Sequence, residues 1–150
     1  MPYDLLSGIS DMHIKGLRNM TNKPTLMFWI IAVVALIWNI VGCWNYIIQN
    51  DPSVVAQMPE VHQLIINNRP SWATAAFAIS VFGGSVGSIL LILRRQIAIG
   101  VFIISLLGTI ATAYFAYRVI GLDPGTISAL IMSLAMVGFA KISQQRCWIQ

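Results

Sequence analysis

The sequence predicts an all-α integral membrane protein, a four-helix bundle with both ends on the cytoplasmic side and short helices in its first outer loop. Three observations carry this. Charged residues make up 9% of the 150 and hydrophobic ones 57%, with a mean hydropathy of +0.77, too few charges to clothe a water-soluble domain of this length. The apolar residues gather into four runs long enough to cross a bilayer. The few Lys and Arg residues fall unevenly on either side of those runs.

Residues 1–25 read as a cytoplasmic tail. Leu5, Ile9, Met12 and Leu17, together with Lys15 and Arg18, suit a basic amphipathic helix on the inner membrane surface, and a disordered segment fits equally well. The first span covers 26–48, 23 residues without a charge, or roughly 34 Å of helix at 1.5 Å per residue. It is too long for the apolar core of a cleavable signal. The second span, 72–93, is closed by Arg94 and Arg95, and the third, 97–117, by Arg118. The fourth, 126–142, is the shortest and ends at Lys141, whose long side chain can reach the headgroups. Residues 143–150 then form a second cytoplasmic tail, so the membrane domain is 26–142.

Orientation follows from the charges. Lys15, Arg18, Lys23, Arg94, Arg95, Lys141 and Arg146 fall on one side and only Arg69 and Arg118 on the other, with Asp51, Glu60 and Asp123 beside them. Seven against two places the richer side in the cytoplasm. The net charge of +4 is therefore an orientation signal and an attraction to membrane lipid; it does not imply nucleic acid.

The loops carry their own punctuation. Asp123-Pro124 offers an N-cap and a first-turn proline before the fourth span, and Asp51-Pro52 does the same after the first. Between 49 and 71, Val61, Leu64, Ile65 and Asn68 lie on one face of a short interfacial helix opened by Pro59 and Glu60. Trp29, Tyr46, Trp72 and Tyr117 sit near span ends, where amphipathic rings favour the interface.

Within the spans, small residues form two seams. Ala76, Ser80, Gly84 and Ser88 recur every four residues along the second span, with Gly83 and Gly87 forming a GxxxG beside them. Gly108, Thr112 and Ala116 make a weaker stripe on the third, flanked by Ser105 and Thr109. Such faces let backbones approach closely, either within this chain or between two copies. The three-residue link Arg94-Arg95-Gln96 makes the second and third spans an antiparallel hairpin.

Asn39 lies near the middle of the first span, where an unpartnered amide costs several kcal/mol, so it must face protein or water. Trp38 and Asn45 share a face of the same helix. These three residues suit a small cleft binding a neutral, hydrogen-bonding solute. Asn39 is equally suited to holding helices together, with Asn45 anchoring at the interface.

The chemistry that is missing narrows the function. No Asp, Glu, His, Lys or Arg lies in the central part of any span, which disfavours proton relays and the small four-helix multidrug exporters that depend on an acid in the first span. All five acids, Asp4, Asp11, Asp51, Glu60 and Asp123, fall in tails or loops. No Ser-His, Cys-His or paired-carboxylate arrangement points to an enzyme, and no cofactor is implied. His13, His62, Cys43 and Cys147 lack metal-ligand spacing.

The segment RPSWATAAFAISVFGGSVGSILLILRR from Arg69 to Arg95, preceded by WNIVGCWNYII ending the first span, resembles a family of small four-span bacterial inner-membrane proteins often labelled sugar transporters. The similarity runs roughly from 23 to 141 and is most specific at Trp72 to Gly84. The resemblance implies the same fold and a bacterial inner-membrane location. The functional expectation is handling of a small neutral solute, the alternative a non-catalytic accessory or structural subunit of a larger membrane complex. A homodimer or another membrane-protein subunit is the partner either reading needs.

Overall fold

A computed structural model describes residues 23–149, so the tail expected over 1–25 lies outside the described residues as far as position 22. Among the described residues there are six helices and no strand: α1 Leu26–Ile48, α2 Pro52–Val55, α3 Glu60–Asn67, α4 Ser71–Ile92, α5 Ile97–Ile120 and α6 Pro124–Gln145. Four of them, α1, α4, α5 and α6, are long and apolar enough to cross a membrane.

Local chemistry explains the boundaries. Asp51 caps α2 by accepting from the Ser53 backbone N–H at 2.9 Å and its hydroxyl at 2.6 Å, and these bonds hold its carboxyl below the usual range. Asp123 caps α6 through the Thr126 N–H at 3.1 Å, with Pro124 at the first helical position; the helix therefore starts two residues before the expected 126. At its other end α6 continues through Gln145, and α5 runs on to Ile120 with Arg118 in its last turn. Apolar runs mark where lipid begins and ends, while a helix continues until its carbonyls find a cap.

Two helix ends share an unusual stop. At the end of α4, Arg95 N–H donates to Leu90 O and Arg94 N–H to Leu91 O, both at 2.9 Å. Arg94 takes the left-handed conformation, φ 59°. After α6 the pattern repeats with Trp148 N–H to Ser143 O, Cys147 N–H to Gln144 O and Cys147 at φ 55°. This Schellman geometry favours glycine at the left-handed position, yet Arg and Cys occupy it.

The four long helices pack antiparallel in sequence. Along α1 and α4, Gly42 meets Val81 and Tyr46 packs at a tilt against Phe77, while nearer the other end Asn39 meets Gly84. Along α4 and α5, Gly108 meets Ala76, Gly83 meets Ser105 and Gly87 meets Phe102. Thr109 joins α5 to Ser133 of α6. Between α6 and α1, Phe139 stacks on Phe28 at 5.8 Å, which closes the ring of helices. Residues 23 and 149 thus come to the same end as Arg94.

That end holds the main apolar core. Phe28, Leu91, Phe102, Ala140, Trp148 and Ile149 are buried together there. Residues 148–149, expected within a tail, fold back onto the bundle, and Arg94 Nε donates to Trp148 O at 2.6 Å. Around the middle of the bundle, Ile37, Ile104, Leu107 and Ile131 each remain more than half exposed. An apolar girdle of that kind is matched by lipid.

Candidate functional site

The polar groups inside this bundle are built from short hydroxyls and one amide, so their partners decide what they do. Asn39 is buried between α1, α4 and α6. Its Nδ2 donates to Ala35 O at 2.8 Å and to Met136 Sδ at 3.4 Å. Its Oδ1 lies so close to Gly84 that a Cβ there would overlap it. Only glycine on α4 leaves room for the amide, so the pair works as a knob and a notch.

Trp38 and Asn45 point elsewhere. One residue step turns a helix by about 100°, and Trp38, 48% exposed, faces outward beside Val41 and Trp44. Asn45 is exposed too, its Oδ1 accepting from Gln49 Nε2 at 3.0 Å. The structure therefore does not bring the three candidate solute contacts together: two share an outer stripe and the third is turned into the bundle.

The small-residue ridge is used within the chain. Gly84, Gly87 and Ser88 are buried. A Cβ at Gly108 would stand 2.7 Å from Ala76 O and 2.9 Å from Ser80 N, and one at Gly87 would stand 2.8 Å from the Phe102 ring. At Gly83 the nearest atom is Ser105 Cβ, at 3.3 Å. Thr112 and Ser88 return their hydroxyls to their own helices, at Gly108 O and Gly84 O.

At the centre of this seam sits a chain of hydroxyls. Ser105 Oγ donates to Ser80 O at 2.6 Å, and Thr109 Oγ1 donates to Ser105 O at 3.0 Å. Thr109 has a single hydroxyl proton, so Ser80 at 2.7 Å and Ser133 at 3.0 Å donate to it. Three helices are joined through one oxygen. Replacing Thr109 by Val keeps the shape and removes that acceptor; the expected loss is about 1 kcal/mol, in the range of interhelical hydrogen bonds in membranes, read by reversible unfolding in mixed micelles. No spacing in the sequence singles out Ser133, although it is a hydroxyl near the middle of its span, which is the signal that points to it.

Arg69 is tied to the bundle by contacts of its own. Its guanidinium lies over the Phe77 ring at 5.1 Å and Nη1 donates to Gln49 Oε1 at 2.8 Å, while Nε is buried with no partner among the described residues. Burial pushes it below its ordinary value, with the nearby Tyr46 acting the other way. Tyr46 in turn packs on Phe77 and Phe82. Of the two basic residues closing α4, Arg94 holds the chain end through Trp148, whereas Arg95 is exposed.

Among the described residues, no three His, Cys, Asp or Glu side chains are grouped to hold a metal, and Cys43 and Cys147 are both free. Two grooves open on the outside of the bundle. One, of about 180 Å³, lies between α1 and α6 and is wholly apolar. The other, of about 370 Å³, lies between α5 and α6 and is lined by Tyr114, Tyr117 and Leu130, with Asp123 and Thr126 where α6 begins. A scan against protein-family models finds no match, and neither the curated proteins nor the solved structures give one.

Proposed function

We propose that this chain is a non-catalytic subunit of a larger membrane assembly, crossing the bacterial inner membrane four times with both ends in the cytoplasm. The observation that carries the reading is Trp38. The indole stands halfway along α1, 48% exposed, and makes no hydrogen bond with any described residue. Tryptophan favours the headgroup region, and an N–H left without an acceptor in hydrocarbon is costly. A neighbouring transmembrane helix resting on the Trp38, Val41 and Asn45 stripe supplies both an acceptor and a cover. The interior polar groups support the same reading, since Asn39, Ser80, Ser105 and Thr109 already hold this chain's own helices together.

A photoreactive residue at position 38 in native membranes tests it. The expected product is one discrete protein adduct, and its mass tells a second 16.5 kDa copy from a different subunit. Trp38→Ala should keep the bundle folded and reduce the size of the particle in mild detergent. A wild-type protein that runs as a single chain and cross-links to lipid alone would overturn the proposal.

Solute handling needs the same contact. Trp38 and Asn45 form an open stripe, so only a second copy facing it encloses a cleft, and Asn39 takes no part. Uptake that survives the double change Trp38→Ala and Asn45→Ala would remove this second reading. Orientation is tested separately by reporters fused to either terminus, both expected on the cytoplasmic face.

A further inference from the structure

We infer that the apolar groove between α1 and α6 holds one acyl chain of an anionic phospholipid, with its headgroup held between Lys23 and Arg146. The groove is lined by Ile30, Val34, Leu91, Met132, Ala135 and Phe139, among others, and shows no polar surface. It occupies the looser of the bundle's seams. Among the described residues, Asn39 meets Met136 and Phe28 stacks on Phe139 across this seam. The groove's lining runs from Ile30 to Ala35 on α1 and from Met132 to Phe139 on α6, the longer stretch being roughly 10 Å of helix. One leaflet of hydrocarbon is about 15 Å deep, so the groove takes the middle part of a chain running from the headgroups to the midplane.

Charge favours an anionic headgroup. The described residues at this end include Lys23, Arg94, Arg95, Lys141 and Arg146 and no acid; Asp51, Glu60 and Asp123 all lie at the other end. One of the five cations, Arg146, is aligned with the groove. Stepping about 100° per residue, Arg146 returns to the face of α6 that carries Met132, Ala135 and Phe139. Lys23 stands three residues ahead of α1, in the exposed non-helical stretch at the same end. An aromatic floor joins groove to charge: Phe139 stacks on Phe28, Phe28 meets the Trp148 ring at 5.7 Å, and the Arg146 guanidinium lies 5.1 Å over that ring. Lys141 projects from the opposite face of α6 and serves as an internal control.

The groove lies on the same face of α1 as Trp38, since Ile31 and Val34 precede it by seven and four residues, but one to two turns nearer the basic end, and its test reads retained lipid where that of the assembly reads a protein adduct. The test takes the full chain into vesicles or nanodiscs of phosphatidylcholine doped with phosphatidylglycerol, with native mass spectrometry counting retained lipid. The expected result is one retained phosphatidylglycerol per chain in preference to phosphatidylcholine. Lys23→Gln and Arg146→Gln should each weaken retention about fivefold, the scale of one basic contact at a membrane surface. Lys141→Gln should leave it unchanged. Arg146→Lys should restore most of it, separating charge from packing on Trp148, and Ala135→Phe should block the groove with the headgroup cations intact. Equal retention of both lipids, or equal losses for Lys141→Gln and Arg146→Gln, would overturn the inference by showing only diffuse surface attraction.

Discussion

Gly108→Ala is expected to destabilise the bundle by about 2 kcal/mol, the cost of overpacking a close-fitted interior, although the change adds a single methyl group. The new Cβ would stand 2.7 Å from Ala76 O and 2.9 Å from Ser80 N. Both are backbone atoms of α4, so no rotamer change relieves the clash and the two helices must separate. Separation also lengthens the bonds from Ser105 to Ser80 O and from Ser80 to Thr109. The measurement is reversible unfolding in mixed micelles, with Gly100→Ala and Gly138→Ala alongside. Nothing lies within 4 Å of a Cβ at either control position. Those changes should be neutral or slightly stabilising, since alanine is the better helix former. If Gly108→Ala proves as harmless as the controls, α4 and α5 are not packed in this register.

Gly84→Ala strikes a different kind of neighbour. Its Cβ meets the Asn39 carboxamide, a side chain that can turn, but turning breaks the bond to Ala35 O and leaves the amide in an apolar interior. The notch at Gly84 and the knob at Asn39 are one feature divided between two helices.

This division explains what was legible in the sequence and what was not. The number, type and approximate limits of the long helices follow from uncharged length alone, because a bilayer imposes one dominant constraint on each span. That Gly84 and Gly108 mark close approaches also follows, since glycine and other small residues recurring every four positions on a lipid-embedded helix have few other uses. Which helix fills each notch is another matter. Asn39 stands out in the sequence as an amide in need of a partner, and helix geometry turns it about 100° from Trp38, but which of the two faces inward depends on how α1 is rotated against α4 and α6. Periodicity on a uniformly apolar helix leaves that rotation undetermined, because there is no polar face to turn outward. The same holds for Ser133, whose meaning comes only from Thr109 on another helix. Lys141 and Arg146 make residues 143–150 read as a tail, since a charge pattern says nothing about whether Trp148 and Ile149 fold back.

Trp148→Ala is expected to have the largest effect of any change near the chain ends, about 3 kcal/mol, the lower part of the range for removing a large buried aromatic. The indole is 7% exposed and meets Phe28 edge-on at 5.7 Å, with the Arg146 guanidinium 5.1 Å over its ring. Its removal opens a void beside Phe28 and loosens Ile149, which is 1% exposed. Arg94 acts on the same segment through the backbone. Its left-handed φ of 59° costs roughly 1 kcal/mol for a residue with a side chain, so glycine alone would relieve the end of α4. That relief is opposed by loss of the charge-assisted bond from Nε to Trp148 O, worth about 2 kcal/mol. Arg94→Gly should therefore destabilise by about 1 kcal/mol, and Arg94→Ala by more, because alanine keeps the strain and loses the bond. The order Trp148→Ala, then Arg94→Ala, then Arg94→Gly, measured by unfolding in one detergent mixture, follows from the hook at 147–149 being part of the folded core. Full stability of a chain truncated after Gln145 would show that the hook contributes nothing.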